Sequence, residues 1–595
     1  MKSICLFACV VMLLSCGDRA GDSSNAGTSE TSFASFIDNY YRQRMAISPM
    51  ESTMNGETQY NDKLYPSFTD SFVANTHQFY TRTLDTLHSF DREKLNENDK
   101  ISYDYLNEYV TLLDKNLSFH TNWIPTDQIW GLHLVMGQWA TGDGAQPFKT
   151  VKDYDNWLKR MQAFGPWIDS AIVYFKKGIA QNYTLPKPLV RSMIPQFEFM
   201  VTNDAASNLY YSPLKKFPAT FTDEEKKRLT NEYTAAIDSI LVPTYRRMAT
   251  FLKNEYLPAA RSSTIGISAL SDGAEQYKLL VRLQTTTAKT PDEIYNIGLS
   301  EVKRIRGLME KIKDSVGFKG DIREFFRFVN TDPQFTPYKT PEEVLNAFRS
   351  IQQRIEPGLP ALFSKFPKTP FEIRRTEAFR EASASAEYMA SPDNKKPGIF
   401  YVPIIDATKF NTTSGMQSLF LHEAIPGHHF QISLQKENND LPLMRRNDPV
   451  SNAYVEGWAL YCESLGQQLK VYDNPYQYFG SLGDEMHRAI RLVVDVALHT
   501  KGMTREEAIA YMMDNEQISE QGATAEIERY ISGPGQALGY KMGQLKIIEL
   551  RNKYQQLLGD KFSIQDFHTE FLKDGSMPLT VLESKMDRWA NSVKK

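Results

Sequence analysis

The chain has 595 residues, and 68 Lys and Arg against 72 Asp and Glu give a formal net charge of −4. Hydrophobic residues at 41% and charged residues at 24% are ordinary globular proportions, which exclude a disordered or fibrous chain. The near-neutral balance lacks the basic footprint of a general nucleic-acid binder, and only the extreme N-terminus carries a long apolar run.

That N-terminal run, residues 4 to 14 behind Lys2, falls short of the ~20 residues that span a bilayer and reads as an export signal. It ends in Leu13-Leu14-Ser15-Cys16, which resembles the cleavage box of bacterial lipoproteins, with Cys16 as the lipidated first residue of the mature chain. A plain secretory signal with an incidental Cys is the alternative. The expected division is therefore a signal peptide over 1–15 and a polar tether over 16–32, rich in Gly, Ser, Thr and Asp. Cys5 and Cys9 leave with the signal and Cys16 takes lipid. Only Cys462 stays in the folded body, so no intrachain disulfide is expected there.

From Phe33 the pattern is helical. Capping boxes recur at Thr222/Glu225, Thr290/Glu293, Thr340/Glu343 and Thr504/Glu507, with Pro291 and Pro341 at first helical positions. Behind the second box, Ile294, Ile297, Leu299, Val302 and Ile305 approximate a core-facing stripe. Residues 261 to 272 form a Ser/Gly-rich break. We place there a boundary between an N-terminal helical region, 33–265, and a catalytic helical region, 266–595. Residues 398 to 402, Gly-Ile-Phe-Tyr-Val before Pro403, read as an edge strand. The expectation is a mostly α, large two-lobed helical body with a small sheet or edge strand.

Five of the ten His fall between His422 and His499, and three lie in Leu421-His-Glu-Ala-Ile-Pro-Gly-His-His429. A His-Glu pair on a helix with a further His close behind is the logic of a zinc hydrolase: neutral imidazoles bind Zn²⁺ and the Glu serves as base. The usual spacing puts the second His four residues on, where this chain has Pro426. On a regular helix His428 would sit about 240° around from His422, and His429 about 10 Å along. We therefore expect Pro426 and Gly427 to form a bulge that lets a later His take the missing place. The competing reading is a helix C-terminus whose His pair caps the last carbonyls.

In Tyr454-Val-Glu-Gly-Trp-Ala-Leu-Tyr-Cys-Glu463 two acids seven apart share one face of an apolar helix. Burying an acid among such neighbours is costly unless it is paired or metal-bound. Glu456 would complete a two-His, one-Glu site with one position open. Solvent-facing acids are the alternative at both Glu456 and Glu463.

The blocks His422 to Gln431, Glu456 to Tyr461, Arg491 to Asp495 with His499, and Arg529-Tyr530 followed by Pro534 to Lys541 resemble the domain-of-unknown-function 885 family of bacterial lipoproteins. The similarity runs from about residue 35 to the C-terminus and takes in Tyr256-Leu-Pro-Ala-Ala-Arg261. That family is grouped with gluzincin-type zinc metallopeptidases. The resemblance implies His422, one His of the 428/429 pair and Glu456 as zinc ligands, with Glu423 as general base. Gluzincins often carry Gly directly before the second zinc His. This favours His428, leaving His429 to an outer-shell or substrate contact.

Tyr530 and Tyr540, flanking a Pro-Gly turn, are candidate donors to an anionic intermediate, with Arg488 and His499 behind them. Residues 399 to 402 could pair with an extended substrate. The reading is a Zn²⁺ metallopeptidase that cleaves short peptides in the cell envelope, held to the membrane by its N-terminal lipid and taking no nucleic acid. A non-catalytic ligand-binding lipoprotein, or a zinc hydrolase of non-peptide amides, is the alternative.

Overall fold

Three of the four expected capping boxes close in both directions, at Thr222, Thr290 and Thr504. Thr340 also caps its helix, accepting from Glu343 N, but the Glu343 carboxylate accepts from Lys339 N instead of reaching back to the cap. In the computed structural model, residues 32–595 are described apart from 143, 263, 378–380, 382–384, 392–395 and 448–450. The signal segment, Cys16 and the tether up to residue 31 lie outside the described residues. The chain is 69% helical with one small sheet, the mostly α fold the patterning predicts.

The elements that build the site are few. Helix α1 (Pro291–Ser315) packs along a long helix, α6 (Pro475–Thr500). Its buried stripe is Ile294, Gly298, Val302, Ile305, Met309 and Ile312. Leu299, expected in that stripe, is solvent-facing, because Gly298 takes the contact against Leu492 and Val493 of α6. Between them in sequence come β1 (Phe371–Arg375), β2 (Glu387–Met389), β3 (Gly398–Val402), α2 (Met416–Glu423), α3 (His428–Glu437), α4 (Leu443–Arg446) and α5 (Asn452–Ser464). Beyond α6 lie α7 (Glu520–Ser532) and α8 (Leu538–Leu558).

The sheet order is β1-β3-β2, with β1 parallel and β2 antiparallel to β3. The run 398–402, expected at an edge, is therefore the central strand. Its burial fits that place, since Gly398, Phe400, Tyr401 and Val402 are all buried. With both sides paired, β3 has no edge to offer a substrate.

Two large hydrophobic clusters each mix residues from before and after the segment 261–272. One holds Trp157, Phe164 and Tyr245 together with Met486, Ile490 and Val493 of α6. The other holds Phe36 and Leu106 together with Phe420 of α2 and Trp458 of α5. Helices α5 and α8 cross almost in backbone contact: a Cβ on Gly457 would stand 2.5 Å from Gly543 Cα. That crossing fixes the helix that carries Glu456. Among the described residues no helix is long and apolar enough to cross a membrane.

Candidate metal centre

Helix α2 ends at Glu423 in a full break, where the sequence led us to expect a bulge. Ala424 leaves helical dihedrals at φ −100°, ψ −105°, the Ile425–Pro426 bond is cis, and α3 begins afresh at His428. Gly427 is required here, because a Cβ would stand 1.9 Å from the His422 carbonyl oxygen and 2.3 Å from that of Leu421. Pro426 donates nothing, but its carbonyl accepts from Trp458 Nε1 at 2.9 Å and from Cys462 Sγ at 3.4 Å, so α5 holds the turn. The break replaces the i, i+4 spacing of one helix by two helix ends that meet.

This turn brings His422 and His428 together, with ring centroids 4.7 Å apart and planes at 89°. One ligand-type atom each from His422, Glu423 and His428 lies within 4.8 Å of the others. Glu456 meets both imidazoles, its Oε2 lying 3.5 Å from His422 Nε2 and 3.4 Å from His428 Nε2. On the far side of the same ring, His422 Nδ1 meets Glu463 Oε1 at 2.8 Å. Both helix acids therefore point inward at one imidazole, and Glu463 fixes that ring's orientation. Glu423 Oε2 accepts from Tyr388 N of β2 at 2.8 Å.

His429 is turned away. Its Nδ1 meets the Tyr388 hydroxyl at 2.9 Å, and its ring packs on Phe371 with centroids 4.6 Å apart. Of the 428/429 pair, His428 is the one that faces Glu456.

Three carboxylates, those of Glu423 and Glu463 buried and that of Glu456 half-buried, gather around two imidazoles, and among the described residues no Lys or Arg forms an ion pair with any of them. Burial would lower the His422 imidazole, but the carboxylates of Glu456 and Glu463 outweigh it and push it up to about 10. Burial raises the Glu423 carboxyl, partly offset by the fields of His428 and His422. Glu456 is held well below the usual carboxylate range: burial opposes this, and His428 and His422 overcome it. The cluster is a buried anionic hole that draws positive charge.

A cleft of about 790 Å³ opens over it. One side is residues 385–388, running into β2. The other is a polar wall formed by α6, α7 and Tyr540. Sequence reasoning places Arg488 and Tyr540 near the chemistry, and both line the cleft. Tyr530 does not. Its hydroxyl donates to Glu526 at 2.5 Å and accepts from Arg491 Nε at 3.0 Å, so it braces the wall from behind. His499 is also remote, accepting from Ile267 N and donating to the Tyr530 carbonyl, both at 3.0 Å. Asp495 accepts from the Tyr277 hydroxyl at 2.6 Å, away from Arg488.

The residues missed are Asp484, His487 and Arg491 on α6, Glu526 on α7, and Tyr388. The first three carry a legible signal: with Arg488 they recur at i, i+3, i+4 and i+7, one charged stripe on a helix. Tyr388, on a three-residue strand, carries none.

A helical body with a buried His/Glu cluster under a polar cleft defines the class of protein. The chain belongs to the DUF885 family of bacterial proteins of unknown function, whose model matches residues 49–586. It is similar to the crystal structure of a "putative lipoprotein" from Colwellia psychrerythraea, at 28% identity and TM-score 0.87, covering 94% of this chain and 99% of that one. A "putative lipoprotein of unknown function" from Shewanella oneidensis shares the fold at 20% identity and TM-score 0.73, over 93% of this chain and 99% of its own. No curated protein matches.

Proposed function

We propose that the protein is a zinc-dependent peptidase of gluzincin type, acting on short peptides in the cell envelope and anchored by lipid on Cys16. The observation that carries this is the spacing around Glu456. Two ligands each about 2.0–2.1 Å from one tetrahedral zinc stand about 3.3–3.4 Å apart. The Glu456 oxygen lies 3.5 and 3.4 Å from the two imidazole nitrogens, longer than ordinary hydrogen bonds and matched to a shared cation. His422, His428 and Glu456 would hold the metal, with Glu463 orienting His422. Zinc in that place supplies Lewis-acid charge and a hydrolytic water of lowered pKa.

The chain's own residues supply the rest. With Oε2 fixed by Tyr388 N, Glu423 takes a proton from the attacking water at Oε1 and hands it to the leaving amine. Tyr540, which lines the cleft, is the candidate donor to negative charge developing on the scissile carbonyl. The lipoprotein descriptions of the two similar structures support the same location as the Leu-Leu-Ser-Cys16 box. Stable residence in a membrane needs more than one acyl chain on that Cys.

Metal analysis of the purified mature protein, run beside hydrolysis of a mixed peptide library, tests the reading. About one zinc per chain is expected, with cleavage lost on chelation and restored by zinc. A zinc-loaded protein that binds peptides and cleaves none would overturn it in favour of a binding lipoprotein. Mass spectrometry should show loss of residues 1–15 and added acyl mass on Cys16.

A further inference from the structure

On the cleft wall opposite β2, α6 and α7 bring four cationic side chains, His487, Arg488, Arg491 and Arg529, against three carboxylates, Asp484, Glu516 and Glu526. His487 is held between Glu516 at 2.8 Å and Glu526 at 3.4 Å. Burial would lower its imidazole, but those two carboxylates raise it above its ordinary value.

Arg491 is the fixed member. It is 5% exposed, with Nε on the Tyr530 hydroxyl and Nη2 on Glu526 Oε2, each at 3.0 Å. Its guanidinium lies over the Tyr540 ring at 4.7 Å and the Tyr530 ring at 5.7 Å. Its Nη1 is buried and meets no acceptor among the described residues. Three residues earlier, Arg488 spends Nη1 on the Asp484 carbonyl at 3.2 Å and Oδ1 at 3.3 Å, and its buried Nε also meets no acceptor. A buried N–H of a charged group left without an acceptor is destabilising, more so than that of a neutral group, and a ligand acceptor removes that penalty. Two guanidiniums one turn apart, one locked in a ring sandwich, suit a planar carboxylate. Tyr540 links them to the metal cluster, for its hydroxyl feels burial first and then the charge of Glu456, while its ring carries Arg491.

We propose that Arg491 and Arg488 recognise a carboxylate carried by the substrate, so that the preferred peptides present an anionic group on the α6 side of the scissile bond. This rests on the peptidase reading for its consequence in turnover, and on the wall itself for binding. The carboxylate has two possible sources, the α-carboxylate of a peptide C-terminus or an acidic side chain.

The test uses one peptide sequence in three forms: a free C-terminus, a C-terminal amide, and an amide carrying Asp in place of its last residue. Each is measured on the zinc-loaded full chain for kcat and KM, and for Kd on Glu423→Gln. Amidation should weaken binding and lower kcat/KM about tenfold or more, as expected for loss of a charge-assisted pair. If the Asp amide regains the loss, the side chain is the source; if not, the C-terminus is. Arg491→Lys and, separately, Arg488→Met should draw the free and amidated forms together, chiefly through KM, with thermal melts confirming that each variant is folded. Equal binding of all three forms by the wild type would overturn the proposal. So would an Arg491→Lys variant that slows free and amidated peptides by the same factor, which marks a structural or transition-state role. Discrimination in Kd with no cleavage of any form would sink the peptidase reading and leave carboxylate recognition standing. Cleavage without discrimination does the reverse.

Discussion

Glu456 and Glu463, two turns apart on α5, meet opposite nitrogens of one imidazole: Glu456 Oε2 lies 3.5 Å from His422 Nε2, and Glu463 Oε1 2.8 Å from His422 Nδ1. The first distance suits a shared cation and the second is a hydrogen bond that sets the tautomer. Glu463→Gln should therefore keep the fold and weaken zinc binding about 10–100-fold, the usual loss when an orienting partner of a ligand His is removed. Competition against a chelator of known affinity reads this directly. Unchanged affinity would mean that Glu463 plays no part in holding the metal.

The turn between α2 and α3 is the second point of leverage. Gly427→Ala puts a Cβ into the His422 carbonyl, 1.9 Å away, and backbone at that distance has to move. A loss of about 1–3 kcal/mol is expected from the overpacking, measured as a lower denaturant midpoint with unchanged slope. Because the displaced atom belongs to a proposed ligand residue, zinc stoichiometry should fall in the same variant. Gly307→Ala, where a Cβ meets nothing within 4 Å, is the control.

The candidate cluster is readable in the sequence because its parts are local: His422, Glu423 and His428 lie within seven positions, and Glu456 and Glu463 share one helix face. What periodicity does not supply is the geometry between them. A bulged helix and a broken one predict the same residues, and only the packing of Trp458 and Cys462 on the Pro426 carbonyl selects the break. The strand at 398–402 is legible as a strand, but its place in the sheet is not. Its partners are a short charged run, Phe371–Arg375, and the three residues Glu387–Met389, both too brief for alternation to stand out. Tyr530 departs from expectation for a tertiary reason: the Pro-Gly turn after it places Tyr540 in the cleft, while Arg491 and Glu526 claim the Tyr530 hydroxyl.

Replacing Glu423 by Gln separates catalysis from binding. The amide fills the same space and can no longer accept a proton, while His422, His428 and Glu456 are untouched. Zinc content should hold. Turnover should drop by ~10²–10⁴-fold, the range for loss of a general base, and the drop should appear in kcat more than in KM. Peptide hydrolysis at the wild-type rate by a folded, zinc-loaded Glu423→Gln would rule out the assigned role.

Acid stability depends on histidines remote from the cluster. His133, His499 and His568 are each buried and each pushed down to about 4 by desolvation, with hydrogen bonds to Gln196, the Tyr530 carbonyl and the Leu362 carbonyl respectively. In the unfolded chain the same imidazoles titrate near 6.5. Between those values the unfolded state binds more protons, so stability rises with pH across the window and is lost as pH falls from about 6.5 through 4. Each imidazole contributes about 1–3 kcal/mol of that loss once the pH reaches the folded value. Asp495, pushed up to about 7, and Asp484, pushed up to about 6, both by burial, act in the opposite sense over this window, so the histidine contribution is read from single variants compared with the wild type in denaturant midpoints from pH 7.5 to pH 4. His568 makes the clearest single case, because its Nε2 pairs with the Tyr461 hydroxyl at 2.8 Å and its ring stacks on Phe363. His568→Gln should lower stability at pH 7.5, where the imidazole packs and hydrogen-bonds as a neutral group. Relative to the wild type, the same variant should lose less stability with acid, since one imidazole that takes up a proton on unfolding is gone. A pH profile for His568→Gln parallel to the wild type would show that this imidazole is not neutral in the fold.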